Sequence, residues 1–212
     1  MLSMVLNSAI TGVELSRIIV VVGSRADMVR AFSEEALARL RAILQPGGLR
    51  VCTVFQELQL GTGHAVQMAA RELSDSGITV ILNGDVPLIQ TDTISKLISR
   101  CDGVRPAILT VNLTDPTGYG RVIRRYETGE VLGIVEEKDC TEDQRQIHEV
   151  YTGMMAVPTS DLRRYLSMLT NDNSQNEFYL TDVIKHAVAE GRTIYNVWAT
   201  HEEEVLGVNT AE

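Results

Sequence analysis

The stretch that most restricts the fold is residues 78–85, Ile-Thr-Val-Ile-Leu-Asn-Gly-Asp. Its apolar, β-branched residues are typical of a strand buried on both faces of a parallel sheet. The strand ends in Asn83, Gly84 and Asp85, and Pro87 stops the chain from continuing the ladder. An acid at the carboxyl end of a parallel strand lies where open α/β sheets bind ligands. A turn-forming aspartate would give the same pattern, so this stretch alone leaves both interpretations equally open.

Strands and helices alternate up to residue 111, which predicts a doubly wound α/β sheet with right-handed crossovers. Beyond it, shorter strands around Thr128-Gly129 indicate a hairpin. The predicted strands are residues 17–23, 51–55, 78–83, 106–111, 121–125, 131–136, 150–157 and 193–198. The predicted helices are residues 1–12, 27–44, 65–74, 91–101, 162–169 and 181–190, with a capping-box helix at 141–144.

Length and charge restrict the class of partner. The chain has 212 residues, enough for one well-buried α/β domain and short for two. The formal net charge of −9 argues against nucleic acid as a partner, because backbone phosphates need a basic surface. A nucleotide is still allowed, since it needs only a local pocket and often a metal ion.

Cysteine usage and apolar run lengths indicate the compartment. Cys52, Cys101 and Cys140 are widely spaced and form neither a zinc-type pair nor a disulfide framework. We therefore expect a reducing, cytoplasmic setting. The longest apolar runs are too short to span a membrane, and the N-terminus has no signal-peptide pattern. We expect no membrane partner.

A glycine-rich turn, Leu-Gly-Thr-Gly-His-Ala at residues 60–65, lies between a predicted strand and a predicted helix. Backbone N–H groups at a helix start can bind an anion or a carbonyl oxygen. The pattern is neither a Walker loop nor a dinucleotide fingerprint, so by itself a simple turn is the favoured interpretation. The amides of Gln56 and Gln59 could pair with the edge of a base, although a polar surface loop explains them more simply.

Carboxylate and amide oxygens give a candidate metal site. Asp85 is the best candidate, because Mg²⁺ takes one or two such oxygens together with substrate phosphates. Asn209 can supply an amide oxygen, although a turn asparagine is its simpler interpretation. Gly120, in a turn-rich loop, can bring a backbone N–H to a ligand, and Glu136 ends a predicted strand. No Ser/His/Asp or Cys/His pattern is found, which disfavours a hydrolase with a covalent intermediate.

Six segments occur in an informative order. They are residues 60–65, Asn-Gly-Asp-Val-Pro-Leu at 83–88, Asp-Pro-Thr-Gly-Tyr-Gly-Arg at 115–121, Gly-Ile-Val-Glu-Glu-Lys-Asp at 133–139, Asn-Glu-Phe-Tyr-Leu-Thr-Asp at 176–182 and Gly-Val-Asn at 207–209. Together they resemble the bacterial N-acetylglucosamine-1-phosphate uridylyltransferases, the N-terminal pyrophosphorylase domain of a bifunctional cell-wall precursor enzyme. The resemblance is specific from residue 56 onward and looser before it.

This resemblance implies a Rossmann-like nucleotide-diphospho-sugar transferase fold, with a mixed, mostly parallel sheet and helices on both faces. It implies that UTP and N-acetylglucosamine 1-phosphate react to give UDP-N-acetylglucosamine and pyrophosphate. Mg²⁺ is the implied cofactor, and the protein mainly positions the substrates and neutralises charge. UTP and the sugar 1-phosphate are the implied partners, and a homo-oligomer is possible.

The resemblance also assigns roles by position. The residues implied to contact uracil and ribose are Gln56, Gln59, Gly61 and Thr62. The nucleoside and sugar pocket is implied to be lined by Asn83 and Gly84. The implied Mg²⁺ ligands are Asp85 and Asn209, with Asp85 as the catalytic residue. The sugar is implied to be held by Gly120 and Glu136.

The sequence departs from the family pattern in three places. The opening strand with its glycine-rich loop is not found, so we expect residues 1–212 to form one domain that is incomplete at its N-terminus. We expect two strands there to have open edges. The trimer-building, acetyltransferase β-helix is not found either. Finally, Tyr151 replaces an asparagine that binds the sugar in the family. Two alternatives follow: a non-catalytic remnant that binds a nucleotide sugar, or a uridylyltransferase for another sugar 1-phosphate.

Overall fold

A computed structural model of the chain describes residues 2–11, 14–23 and 49–207. The strands are β1 Arg17–Val22, β2 Arg50–Phe55, β3 Ile78–Ile81, β4 Ala107–Asn112, β5 Gly120–Arg124, β6 Val131–Val135, β7 Glu149–Pro158 and β8 Tyr195–Trp198. The α-helices are α1 Leu2–Ile10, α2 Thr62–Ala69, α3 Thr91–Cys101, α4 Glu142–Arg145, α5 Thr159–Leu166 and α6 Asp182–Ala189. Short 3₁₀ helices span Glu137–Asp139 and Glu202–Glu204.

Most predicted elements are confirmed, and the differences are in the residues at which they begin and end. Helix α3 has the predicted bounds, and the capping box of α4 forms, with Thr141 and Gln144 exchanging side chain to backbone hydrogen bonds of 3.3 and 2.9 Å. Helices α2 and α5 each begin three residues earlier than predicted, since apolar spacing marks the buried face and not the first turn. The helix predicted at 27–44 lies outside the described residues.

Strand β7 organises the larger of two sheets. In this sheet the strands lie in the order β6-β5-β7-β4-β8, and β3 also bonds to β7. The ten residues of β7 let it pair with β5 near Tyr151 and with β3 near Val157, while β4 runs along its other edge. Strands β1 and β2 form a separate parallel pair.

The mixed α/β sheet is confirmed, but its pairing is less parallel than expected. Among the described strands of the larger sheet, only β4 and β8 form a parallel pair. The reason is that β7 runs opposite to each of its three neighbours. The expectation of a deeply buried strand at β3 is also wrong, because all four of its residues are only half-buried. Among the described strands β3 bonds to β7 alone.

Apolar side chains cover both faces of the larger sheet, as predicted. On one face, Met155 and Val157 of β7 pack with α5 and α6. On the other, Met154 and Ala156 pack with α3 and with Val5 of α1. This alternation follows from the two-residue repeat of a strand, and each fully buried aliphatic side chain stabilises the fold by about 1.5–3 kcal/mol. No helix in the described ranges is long and apolar enough to cross a membrane.

Candidate functional site

The glycine turn lies against the backbone of the 176–182 segment. Phe178 N–H donates to the carbonyl of Leu60 (2.8 Å), and Gly63 N–H donates to the carbonyl of Phe178 (2.7 Å). A Cβ at Gly61 or Gly63 would lie 2.7 Å from that Phe178 oxygen, so only glycine allows so close an approach. The structure thus joins the first and fifth of the six sequence segments.

The two predicted base-contacting amides differ in their surroundings. Gln56 is buried, and its Nε2 donates to the carbonyl of Gly61 (3.0 Å) and lies 3.0 Å from Nδ1 of His64. It therefore holds the turn in shape from within. Gln59 is exposed, and its Nε2 lies 2.7 Å from the place where a Cβ on Gly23 would stand. Of these two amides, Gln59 is the one positioned at the surface.

The 176–182 segment connects the glycine turn to Glu136. At one end, the exposed Thr62 accepts a hydrogen bond from the N–H of Leu180 at its Oγ1 (3.2 Å). At the other, the buried Thr181 donates its hydroxyl to Oε1 of Glu136 (3.0 Å). One short segment thus fixes residues from two predicted subsites relative to each other.

Glu136 and Gly120 face each other at the end of the β5–β6 hairpin. Oε2 of Glu136 lies 3.5 Å from the place where a Cβ on Gly120 would stand, and Gly120 is paired with Tyr151 in the next strand. Burial raises the pKa of Glu136, the hydrogen bond from Thr181 opposes this, and the nearby charge of Asp139 adds to the rise. This carboxyl is therefore desolvated, with Oε1 bonded to Thr181 and Oε2 directed at Gly120.

Tyr151 pairs with Gly120 in the sheet and so lies beside the predicted sugar subsite. It is 6% exposed, and among the described residues its hydroxyl has no hydrogen-bond partner. Burial raises its pKa well above the ordinary value, and the charge of Glu136 adds to this. A buried hydroxyl without a partner is unfavourable and rare in folded proteins. Its ring thus borders the predicted sugar subsite and offers it no amide group.

Asn83 is held against the start of β7. Its Nδ2 donates to the carbonyl of Thr152 (3.0 Å). Gly153 lies beneath it at φ +85°, and a Cβ there would collide with the Asn83 amide. Gly84 follows, exposed, with Leu2 as the neighbour that a Cβ would meet, at 3.6 Å. Asn83 therefore takes a structural role at the end of β3 that sequence alone did not indicate.

Asp85 is exposed beside the C-terminal segment. Its Oδ2 lies 3.3 Å from the place where a Cβ on Gly207 would stand. The segment is anchored by the buried Glu204, which accepts hydrogen bonds from the N–H groups of Gln90 (3.2 Å) and Thr200 (3.4 Å). Asn209, the second predicted metal ligand, lies outside the described residues.

The donor set at Asp85 suits a hard cation that brings its own ligands. Within residues 2–11, 14–23 and 49–207, no three His, Cys, Asp or Glu side chains group closely enough to hold a metal ion. A single exposed carboxylate fits Mg²⁺ bound mainly by water and substrate phosphates, and does not fit a closed protein cage.

Two supporting residues escaped the sequence analysis. Thr181 lies within the fifth segment, so the sequence marked its neighbourhood as a candidate. Its hydrogen bond to Glu136 spans 45 positions in the chain and was not indicated. Glu204 ends a run of three glutamates that reads as a solvated surface, and nothing local marks it as buried.

No protein-family model matches the chain. Among curated proteins it is similar to the bifunctional protein GlmU of Methylibium petroleiphilum, with 48% identity over 201 residues, covering 94% of this chain and 42% of the relative. GlmU of Polaromonas naphthalenivorans is 53% identical over 159 residues, covering 74% and 34%. GlmU of Cupriavidus metallidurans is 44% identical over 210 residues, covering 99% and 43%. The chain thus spans about two fifths or less of the length of these relatives.

Solved structures of UDP-glucose pyrophosphorylase share the fold. The complex with UDP-glucose has a TM-score of 0.67 at 16% identity, covering 92% of this chain and 77% of that one. The apo form has a TM-score of 0.64 at 14% identity, covering 93% and 76%. The resemblance drawn from the six segments and the predicted fold class are both confirmed.

Proposed function

We propose that this relative of the bifunctional GlmU proteins transfers the uridylyl group of UTP to a sugar 1-phosphate, with N-acetylglucosamine 1-phosphate as the first candidate acceptor. The observation that carries the proposal is that four of the six segments are joined by successive direct contacts, while the remaining two contact each other. The turn touches the 176–182 segment, Thr181 touches Glu136, Glu136 faces Gly120, and Asp85 adjoins Gly207. Strand β7 connects the two groups, because Gly120 pairs with Tyr151 and Asn83 donates to the carbonyl of Thr152. Convergence of distant loops is typical of a ligand site, and these segments form the rim of the proposed one.

The reaction needs little covalent participation from the protein. An oxygen of the sugar 1-phosphate attacks the α-phosphorus of UTP and forms a new P–O bond. The bond from the α-phosphorus to the bridging oxygen breaks, and pyrophosphate leaves with that electron pair. The protein has to hold both substrates in line, which is the contribution of a rigid binding rim.

Each part of the rim has a proposed task. The glycine turn, kept in shape by Gln56, would receive the uracil and ribose, with Gln59 and Thr62 at the surface. Glu136, whose Oε2 faces Gly120, would accept hydrogen bonds from sugar hydroxyls. Support for this division comes from the separation of the two regions by the 176–182 segment, which contacts both.

Asp85 and Asn209 would hold Mg²⁺ at this rim. A bound Mg²⁺ would neutralise charge on the triphosphate and on the departing pyrophosphate. The exposure of the Asp85 carboxylate at the end of β3 leaves room for water and phosphate oxygens as further ligands.

Tyr151 favours a second candidate, a uridylyltransferase for a different sugar 1-phosphate. A buried phenol ring stands where the family has an amide, so an N-acetyl group loses one polar partner. Glucose 1-phosphate, which carries a hydroxyl in place of the acetamido group, is the informative competitor.

The test is a steady-state assay of pyrophosphate release by the 212-residue chain with UTP and Mg²⁺, using each acceptor in turn. A higher kcat/KM with N-acetylglucosamine 1-phosphate supports the first candidate, and a higher value with glucose 1-phosphate supports the second. Calorimetry with UDP-N-acetylglucosamine and UDP-glucose accompanies the assay. Binding without turnover would identify a nucleotide-sugar-binding module. The absence of both binding and turnover would refute the proposal.

Asp85→Asn tests the metal assignment. We expect it to lower kcat/KM by roughly a hundredfold or more, because metal charge stabilisation contributes several kcal/mol. Asp92→Asn is the matched control: Asp92 is also exposed, at the start of α3, and pairs with Lys96 at 2.6 Å. Equal activities of the two variants would contradict the role of Asp85.

A further inference from the structure

A buried arginine lies directly behind the predicted sugar subsite. The side chain of Arg121 is 2% exposed and forms an ion pair with Glu137, whose side chain is 26% exposed, at 2.7 Å. Arginine is almost never this deeply buried unless it is paired. Arg121 directly follows Gly120, and Glu137 directly follows Glu136.

Sheet register places this ion pair on the opposite face from the subsite. Arg121 pairs with Val135 in the β5–β6 ladder, so Gly120 and Glu136 lie opposite each other one step further along. Successive side chains of a strand point to opposite faces. Gly120 and Glu136 therefore share one face, and Arg121 projects from the other.

Arg121 joins three pieces of chain that meet at this point. Its Nη1 donates to the carbonyl of Tyr119, and its Nη2 donates to the carbonyl of Arg145 at the end of α4 (3.5 Å). Arg145 in turn lies 3.9 Å from Oε1 of Glu137. The guanidinium thus ties the loop before Gly120 to the 3₁₀ helix after Glu136.

We propose that Arg121 and Glu137 are positioning residues that hold Gly120 and Glu136 at the separation needed to bind the acceptor sugar; this inference rests on the proposed function. Desolvation makes a buried ion pair a weak source of net stability, often no better than an apolar pair of the same volume. The directional contacts here are the hydrogen bonds from Arg121 to the carbonyls of Tyr119 and Arg145, whereas Oε2 of Glu137 makes no hydrogen bond among the described residues and adds charge attraction. Together these contacts define the geometry of the two backbone positions flanking the subsite.

The experiment measures the contribution of the sugar to binding. The measure is the dissociation constant of UDP divided by that of a UDP-sugar, so a larger ratio means a larger contribution. Calorimetry uses UDP with UDP-N-acetylglucosamine or UDP-glucose, whichever binds the wild-type chain more tightly. We expect Glu137→Gln to lower this ratio by roughly tenfold, which is the size of effect that residues orienting the ligands of metal sites have. The dissociation constant of UDP itself should change little. Glu137→Asp, which keeps the charge, should recover part of the ratio.

Glu149→Gln is the matched control. Glu149 also pairs with an arginine of β5, accepting hydrogen bonds of 2.6 Å from both Nε and Nη2 of Arg124, which is four residues from Gly120 along the strand. A merely structural ion pair would lower stability in both variants and leave the ratio unchanged, so thermal melting is recorded for each.

Three outcomes decide the matter. A ratio that falls in Glu137→Gln and not in Glu149→Gln supports the inference. An unchanged ratio in Glu137→Gln overturns the inference while the proposed function stands. If Glu137→Gln does not fold, an unchanged ratio in Arg121→Lys, which loses the planar guanidinium, overturns it instead. A wild-type chain that binds UDP and neither UDP-sugar overturns the proposed function and the positioning role together.

Discussion

Replacing Gly63 by alanine has opposite expected effects on stability from helix propensity and from tertiary packing. Gly63 lies inside α2, where alanine is favoured over glycine by about 1 kcal/mol. Helix propensity alone therefore predicts a stabilised variant. The structure predicts the reverse, because the new Cβ would lie 2.7 Å from the Phe178 carbonyl oxygen and 2.8 Å from Cδ1 of Leu169. The leucine can turn aside, whereas the carbonyl belongs to the backbone.

The size of the effect follows from the contacts that must give way. Relieving the clash separates the glycine turn from the 176–182 segment. Three hydrogen bonds join these segments: Gly63 to Phe178, Phe178 to Leu60, and Leu180 to Thr62. At about 0.5–1.5 kcal/mol each, their loss amounts to about 1.5–4.5 kcal/mol. After subtraction of the helix preference, we expect the free energy of unfolding to fall by about 0.5–3.5 kcal/mol.

Urea unfolding followed by circular dichroism measures this difference directly. A fall of 1 kcal/mol corresponds to a decrease in Tm of about 2–4 °C for a chain of this size. Gly84→Ala is the matched control, because a Cβ there meets only Leu2 at 3.6 Å, an ordinary van der Waals distance. We expect that variant to lie within about 0.5 kcal/mol of wild type.

A Gly63→Ala chain as stable as wild type, or more stable, would refute the close packing of the two segments. The glycine turn would then be a local helix start with no tertiary role. An equal loss of stability in Gly63→Ala and Gly84→Ala would also contradict the packing explanation, because it would indicate a general effect of replacing glycine.

Two further predictions concern the sugar subsite. Burial raises the pKa of Glu136, so the folded chain holds this proton more tightly than the unfolded chain. Ionisation of Glu136 therefore lowers stability as the pH rises from the unfolded-state pKa to the folded-state pKa, and the loss is constant above the latter. Glu136→Gln should be more stable than wild type at pH 8, and the difference in unfolding free energy should shrink as the pH falls towards 4.5, the ordinary pKa of glutamate. A difference independent of pH would contradict this. Tyr151→Phe removes a buried hydroxyl without a partner among the described residues and should raise the unfolding free energy by up to about 1 kcal/mol in urea titrations. A loss of 1 kcal/mol or more would reveal a hydrogen bond to that hydroxyl.

The parts of the site differ in how far sequence could predict them. The roles of Asp85 and of the glycine turn stay predictions. Both were recognisable from the sequence as candidates, because a polar or glycine residue at the end of an apolar run stands out locally. The sequence did not indicate the bond from Thr181 to Glu136, the burial of Gln56 or the ion pair of Arg121. Each depends on a partner that is distant in sequence or on the packing around the side chain, and no local spacing encodes that.

The fold divides in the same way. Apolar periodicity indicated the identity and order of most of the described strands and helices, since burying one face of each is a local requirement. Helix α4, which buries no residue, was indicated by its capping box instead. Only the tertiary structure decided that β7 enters the sheet antiparallel to β3, β4 and β5, leaving β3 half-buried. A strand's residues specify which side chains face the core, whereas its neighbours and their direction depend on how distant segments pack.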